Sequence, residues 1–206
     1  WRMEYRNTDL RVSLPKSGLE DLGIFTPFRA GTKIFMTLPD GQRVGWTFTP
    51  EIRALPGFGL NDRLVVASPR YTPHLGNTAT LRAGSGWLTV NEFGELYAAS
   101  GIPWNPASPD FGGGFTVTTA DGIHYRVDGV TGMMQSATNR NGATITFSEF
   151  GITSSEGGLV VSIERDRFNR IQKVTDPEGS TLSYTYSSTG DLIEVTDREG
   201  HTTKFS

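Results

Sequence analysis

Between Gly132 and Ser206 one short pattern is written three times, and self-similarity of this kind restricts the chain to a repeat architecture before any single residue is interpreted. The copies are anchored at Gly132, Asn169 and Gly190. An apolar residue follows two places on (Met134, Ile171, Leu192) and a smaller one five places on (Ala137, Val174, Val195). Asn139, Asp176 and Asp197 stand at the seventh place, and Gly142, Gly179 and Gly200 close the units at the tenth. Each copy then passes through a threonine into alternating positions: Ile145 and Phe147; Leu182, Tyr184 and Tyr186; Thr203 and Phe205.

These spacings have direct physical readings. An Asp or Asn followed three residues later by Gly brackets a turn, because the short polar side chain bonds the local backbone and glycine accepts positive φ. Asn139, Gly142, Asp176, Gly179, Asp197 and Gly200 are therefore structural turn positions, and Pro177 suits a first central turn position. Two apolar residues three apart cannot share a face of a regular strand, so a bulge or bend is expected between Met134 and Ala137, between Ile171 and Val174 and between Leu192 and Val195. Thr181 to Tyr186 alternates sharply, which predicts one apolar and aromatic face and one of threonine and serine. Units of this type chain into successive antiparallel hairpins, each gaining burial from its neighbours.

The hairpin half of the pattern also occurs from Gly41 and Gly122, so it runs weakly through most of the chain. Lys33 to Leu38 and Arg43 to Thr49 form a hairpin about Asp40-Gly41. Further strands are expected at Arg63 to Ala67, Ala79 to Arg82, Trp87 to Val90 and Glu95 to Ala98, with a half-buried strand over Trp1 to Arg6. Leu19 to Phe28 reads as an irregular connection, and Pro69 to Asn77 and Gly101 to Gly114 as surface loops leaving a sheet edge. A strand-rich region over 1–114 leads into degenerate repeats over 115–206, in one domain and one continuous sheet. With abundant glycine and no 3.6-residue apolar period, the fold class is all-β, a curved antiparallel sheet of successive hairpins. The chain opens on Trp1 and closes inside a repeat, which predicts a segment of a longer polypeptide.

Composition narrows the function. A net charge of −3 gives no electrostatic footprint for nucleic acid, and no apolar run reaches the roughly 18 residues of a membrane helix. The absence of cysteine excludes disulfides and thiolate chemistry in these residues. His74, His124 and His201 lack metal-ligand spacing, no G-x-S-x-G elbow marks a nucleophile, and Gly112 to Gly114 is followed by neither Lys-Ser/Thr nor a helix. The Asp176 and Asp197 turns stop at their glycines, short of a calcium loop, so turn chemistry accounts for them. Catalytic residues, metal ligands and cofactors are accordingly not expected. Among the aromatics, Trp46, Phe48, Trp87, Tyr97, Tyr184 and Tyr186 fall at alternating strand positions, where cross-strand pairing explains them; a sugar-binding module would instead present such rings on an exposed face. Trp104 lies in the Gly/Pro-rich segment and is the expected contact residue.

The string from Phe168 to Tyr186, followed by Thr189 to Gly200, resembles the RHS or YD repeat family, whose consensus is roughly YD-x-x-G-R-L-x-x-V-T-D-x-x-G. The resemblance covers about 115–206. Tyr186-Ser187 and Asp166-Arg167-Phe168 replace the Tyr-Asp pair, and Asp191 replaces the Arg after Gly190. Ser154 to Arg165 carries an insertion, and no counterpart of the family's autoproteolytic segment is present. The resemblance implies a non-enzymatic strip of sheet that forms wall in a spiral β-shell, as in bacterial Rhs effectors, toxin complexes, giant surface proteins and teneurins. It further implies a secreted or cell-surface bacterial location, the rest of the same shell and an enclosed toxin domain as partners, and self-association through unpaired strand edges. A second reading is an extracellular carbohydrate- or protein-binding module acting through the Pro69 to Asn77 and Gly101 to Gly114 loops, with Trp104.

Overall fold

The computed structural model describes residues 7–56, 63–84 and 86–205. The strand expected over Trp1 to Arg6 lies outside them. Two compact units are present, Arg6–Gln135 and Ser136–Ser206. The strands before Gly132 are β1 (Arg11–Val12), β2 (Lys33–Thr37), β3 (Arg43–Phe48), β4 (Glu51–Pro56), β5 (Arg63–Ser68), β6 (Tyr71–Pro73), β7 (Thr80–Ala83), β8 (Leu88–Val90), β9 (Leu96–Ala98), β10 (Gly114–Thr118) and β11 (His124–Asp128). After it come β12 (Met134–Thr138), β13 (Thr144–Ser148), β14 (Gly151–Ser154), β15 (Gly158–Arg165), β16 (Ile171–Thr175), β17 (Thr181–Tyr186), β18 (Leu192–Thr196) and β19 (Thr202–Lys204). The fifteen described strand pairings are antiparallel, and the described residues contain only two short 3-10 helices, Glu20–Leu22 and Pro109–Phe111. The fold is all-β, as the glycine content and alternating patterns predict.

In the first unit the orders β1-β2-β3-β6 and β4-β5-β8-β9, with β10 between β7 and β11, enclose one apolar core. Alternation along β2 and β3 sends Ile34, Met36, Val44, Trp46 and Phe48 inward, where they meet Leu81, Leu88, Leu96, Phe115, Val117 and Val127. At its centre Trp104 stacks on Phe48 at 5.3 Å and meets Phe28 edge-on at 5.6 Å. The Trp46 indole N–H donates to the Ala79 carbonyl at 2.9 Å, so that ring is buried with its polar atom satisfied. The segment entering β1 is tied to this unit through Thr8, whose N–H and hydroxyl both donate to the Gly132 carbonyl (3.1 and 2.7 Å).

Two segments depart from the sequence expectation. Pro69 to Asn77 is not wholly loop, because Tyr71–Pro73 forms β6 against β3 in the register Phe48↔Tyr71 to Trp46↔Pro73. A proline is compatible with this strand because β6 lies at the end of its sheet order. The second departure concerns Trp104, which is not a surface contact residue: its exposure is 0%. Its N–H donates to Leu96 O and its carbonyl accepts from Phe28 N–H, both at 2.8 Å, while Asn105 donates through Nδ2 to Thr26 O. With its backbone groups paired in this way a Gly/Pro-rich segment can enter a core.

The second unit is built differently. From β12 to β19 each strand pairs with the next in chain order. The bulges expected after Ile171 and after Leu192 are present. Arg165 pairs with Ile171 but Glu164 with Lys173, leaving Gln172 extra in β16, and Tyr186 pairs with Leu192 but Thr185 with Glu194, leaving Ile193 extra in β18. The extra residue returns Ile171 to the face of Val174 and Leu192 to the face of Val195, and it adds local twist. Following the registers, one face carries Ile145, Phe147, Ile152, Val161, Ile163, Ile171, Val174, Leu182, Tyr184, Tyr186, Leu192 and Val195. The other carries Thr138, Thr144, Thr146, Thr153, Thr175, Ser183, Thr185, Thr196 and Thr202, interrupted by the pairs Lys173–Glu164 and Lys204–Glu194. Most of the apolar face is only half-buried; Ile163, at 6%, is its most enclosed side chain among the large apolar residues described.

Trp104→Ala is expected to cost about 3–5 kcal/mol in chemical denaturation, as for other fully buried large rings. Half-buried Tyr184→Ala is expected to cost only about 1–2 kcal/mol. The Tyr71 hydroxyl is buried without a partner, and burial pushes its pKa up. Tyr71→Phe should therefore leave stability unchanged or raise it by up to about 1–3 kcal/mol. A loss exceeding about 1 kcal/mol would show that the hydroxyl is satisfied in solution.

Candidate functional site

The element repeated through the protein is a five-residue turn. The N–H of its first residue donates to the carbonyl of the fifth, and the N–H of the fourth donates back to the carbonyl of the first. At Asp176–Ser180 these bonds are 3.0 and 3.1 Å; at Asp197–His201 they are 2.9 and 3.1 Å. The fourth residue has positive φ, +87° at Gly179 and +85° at Gly200. Turns of this type joining antiparallel strands place the left-handed residue at a bulge. The same pair of bonds closes Leu38–Gln42, Asn91–Glu95, Ala98–Ile102, Thr119–Ile123, Asn139–Ala143, Asp166–Arg170 and Ser187–Asp191.

Where the first residue is polar, its side chain holds the turn together. Asp176 Oδ1 accepts from Glu178 N–H (3.0 Å) and Ser180 N–H (2.9 Å), and Asp197 Oδ1 accepts from Glu199 N–H (2.9 Å) and His201 N–H (2.8 Å). Asn139 Oδ1 does the same for Asn141 and Ala143, and Asp166 Oδ1 for Phe168 and Arg170. Ser187 supplies its hydroxyl to Asp191 N–H at 3.0 Å. This shortens the unit read from sequence. Asn169 and Gly190 do not open a hairpin but occupy the fourth place of the same turn that Gly179 and Gly200 close. Successive turns start at Asp166, Asp176, Ser187 and Asp197, alternately ten and eleven residues apart. Gly132 belongs to a loop one residue longer, in which its N–H donates to Asp128 O and Met133 O accepts from Asp128 N–H.

Electrostatics reinforce the arrangement. Hydrogen bonds from the His201 backbone N–H first, and from Glu199 and the His201 ring, hold the Asp197 carboxyl below its usual range. At Asp166 partial burial opposes ionisation, but the Arg170 side chain and the Arg170 and Phe168 N–H groups outweigh it, and the pKa is lowered. Arg170 Nε meets Asp166 Oδ2 at 2.7 Å, and its guanidinium lies 4.3 Å from the Tyr186 ring centroid. Tyr186 in turn donates its hydroxyl proton to Ile171 O at 2.7 Å. One turn is thereby fastened to β17, a strand it does not directly join.

The residues predicted from sequence thus sit at separate turns rather than in one cluster, and Trp104 lies in the core of the first unit. The three histidines are also apart, each with its own local partner: His74 with the Thr47 hydroxyl (3.0 Å), His124 with Thr118 (2.8 Å) and His201 with Asp197 (3.2 Å). Among the described residues no group of three or more His, Cys, Asp or Glu could hold a metal ion. The partners missed from sequence are Arg170 and Tyr186, whose pairing required knowledge of which strands are neighbours.

Gly179→Ala is expected to cost about 1–2 kcal/mol, since open space surrounds the position and only the positive φ is penalised. Asn169→Gly should be neutral or slightly stabilising in the same denaturation assay. The depressed Asp166 pKa means that its contribution is present above the unfolded carboxylate value near pH 4 and is lost as pH falls through the lower folded value. The stability difference between the parent and Asp166→Asn should therefore narrow on acidification towards pH 3. A gap of equal size at pH 3 and pH 7 would contradict this linkage.

Residues 165–205 match the family model described as RHS Repeat. The matched span contains the turns at Asp166, Asp176, Ser187 and Asp197 together with β16, β17, β18 and β19. No curated protein matches the sequence. Those four turns carry the match, so residues 165–205 are similar to RHS repeats.

Proposed function

We infer that this chain is a non-enzymatic wall segment of a β-shell that encloses or displays a toxin or other cargo. The observation that carries the reading is the strip from β12 to β19, whose apolar face is only half-buried although it runs through every strand from β13 to β18. A wall needs two chemically different surfaces, and this strip has an apolar aromatic face and a threonine-rich one. The likeness of residues 165–205 to RHS repeats favours a secreted or cell-surface bacterial setting; no helix among the described residues is long and apolar enough to cross a membrane. The reading that makes Trp104 a ligand contact loses its residue to the core.

Partners follow from the edge of the strip. Among the described residues β19 pairs with β18 alone, and the bonds Asp197 N–H to His201 O and Phe205 N–H to Ile193 O place the inward-bonding positions at odd numbers. Thr202 and Lys204 therefore direct backbone groups outward, where a further strand of the shell would pair. In isolation that edge should drive self-association. Sedimentation velocity is expected to show dimers or larger species growing with concentration, and Lys204→Pro, which removes an outward donor, should suppress them. A parent chain that stays monomeric at every concentration, or a Lys204→Pro variant that associates equally, would contradict the edge assignment.

A further inference from the structure

The outer face of β4-β5-β8-β9 carries a feature that neither the core nor the repeat explains. Trp87 is 73% exposed at the start of β8, while the adjacent Leu88 is 1% exposed and turned into the core. Strand alternation puts Trp87 on the same face as Thr89, and the register Thr89↔Tyr97 adds Tyr97 from β9 beside them. Tyr97 donates its hydroxyl proton to Glu95 Oε2 at 3.0 Å, and Asn91 Nδ2 donates to the same oxygen at 2.9 Å. Phe93, also 73% exposed, occupies the turn that joins the two strands.

From Trp87 to the Asn91–Glu95 pair the platform runs roughly 13 Å, at a rise of about 3.3 Å per residue. It has an exposed ring at each end and polar groups between. Those groups are pre-oriented: Asn91 Oδ1 is spent on the Phe93 and Glu95 N–H groups, fixing the amide so that Nδ2 reaches Glu95. Glu95 Oε1, the remaining Asn91 N–H and a lone pair of the Tyr97 oxygen stay available as acceptor, donor and acceptor. An apolar partner would require a contiguous apolar patch, and the rings here are separated by polar atoms. An anionic ligand would meet the Glu95 carboxylate.

We propose that the Trp87–Tyr97–Glu95–Asn91 face binds a neutral, β-linked pyranose oligosaccharide. An all-equatorial, β-linked chain is flat and extended, offering axial C–H faces to the rings and rim hydroxyls to the polar trio. An α-linked chain coils away from a straight strand. The site is independent of the shell reading, because it uses the first unit and none of the strip. Its groups are held by a two-strand turn, so little side-chain freedom is lost on binding.

Calorimetric titration of the whole chain with cellotetraose and chitotetraose, against maltotetraose, tests the proposal. Binding of at least one β-linked probe is expected with a Kd of about 1 mM or tighter. Trp87→Ala should weaken it tenfold or more with an unchanged unfolding midpoint, and Glu95→Gln should weaken it several-fold. No heat from either β-linked probe up to about 10 mM overturns the site. Equal binding by Trp87→Ala, or by maltotetraose, overturns the stacking and the flat-ligand assignment respectively.

Discussion

The repeat strip is organised by one local constraint, a turn whose fourth residue adopts positive φ while its first residue, at Asn139, Asp166, Asp176 and Asp197, lends a side-chain oxygen to two backbone N–H groups. Each part solves a problem posed by the other. The left-handed residue sends the chain back antiparallel, and the side-chain oxygen satisfies amides that the reversal would leave open. At Asp176 one carboxylate oxygen serves both Glu178 and Ser180, so the whole reversal is organised by two residues three apart. Repetition at ten and eleven residues then fixes strand length and hence where each strand meets its neighbour.

The bulges at Gln172 and Ile193 follow from that fixed length. Without them Ile171 and Leu192 would point to the threonine face, and the strip would lose its chemical polarity. With them it keeps two distinct faces through successive units and gains twist at regular intervals. The first unit obtains its stability otherwise, by closing Phe28, Phe48 and Trp104 into a buried aromatic cluster. One unit is thus core-dominated, while the other is register-dominated with little fully buried side chain.

Much of this was legible in the residues. The Asp-to-Gly spacing announces the turns, the three-residue offset between Ile171 and Val174 requires a bulge, and Thr181 to Tyr186 displays its two faces by alternation. The true period was obscured because chemically equivalent residues replace the obvious ones: Asn169 stands where glycine is usual, and Ser187 where Asp is usual. Trp104 was illegible for a different reason. Its Gly/Pro-rich surroundings describe a local preference for irregular backbone, but its burial is set by bonds to Leu96 and to Phe28, the latter distant in sequence. Tyr71 was hidden likewise, since nothing local reveals that Pro73 lies on an edge strand. Arg170 and Tyr186 meet only because β16 and β17 are neighbours.

One turn, rather than a whole hairpin, is the repeating unit of the strip, and residue-resolved amide hydrogen exchange reads that difference. The N–H groups of the first and fifth turn residues, such as Asp176 and Ser180 or Asp197 and His201, should be protected, with fast exchange at the second residue, such as Arg167 and Arg198. The pattern should recur alternately at ten and eleven residues from Asp166 to Asp197. Protection confined to every second turn, or uniform exchange through all of them, would contradict it.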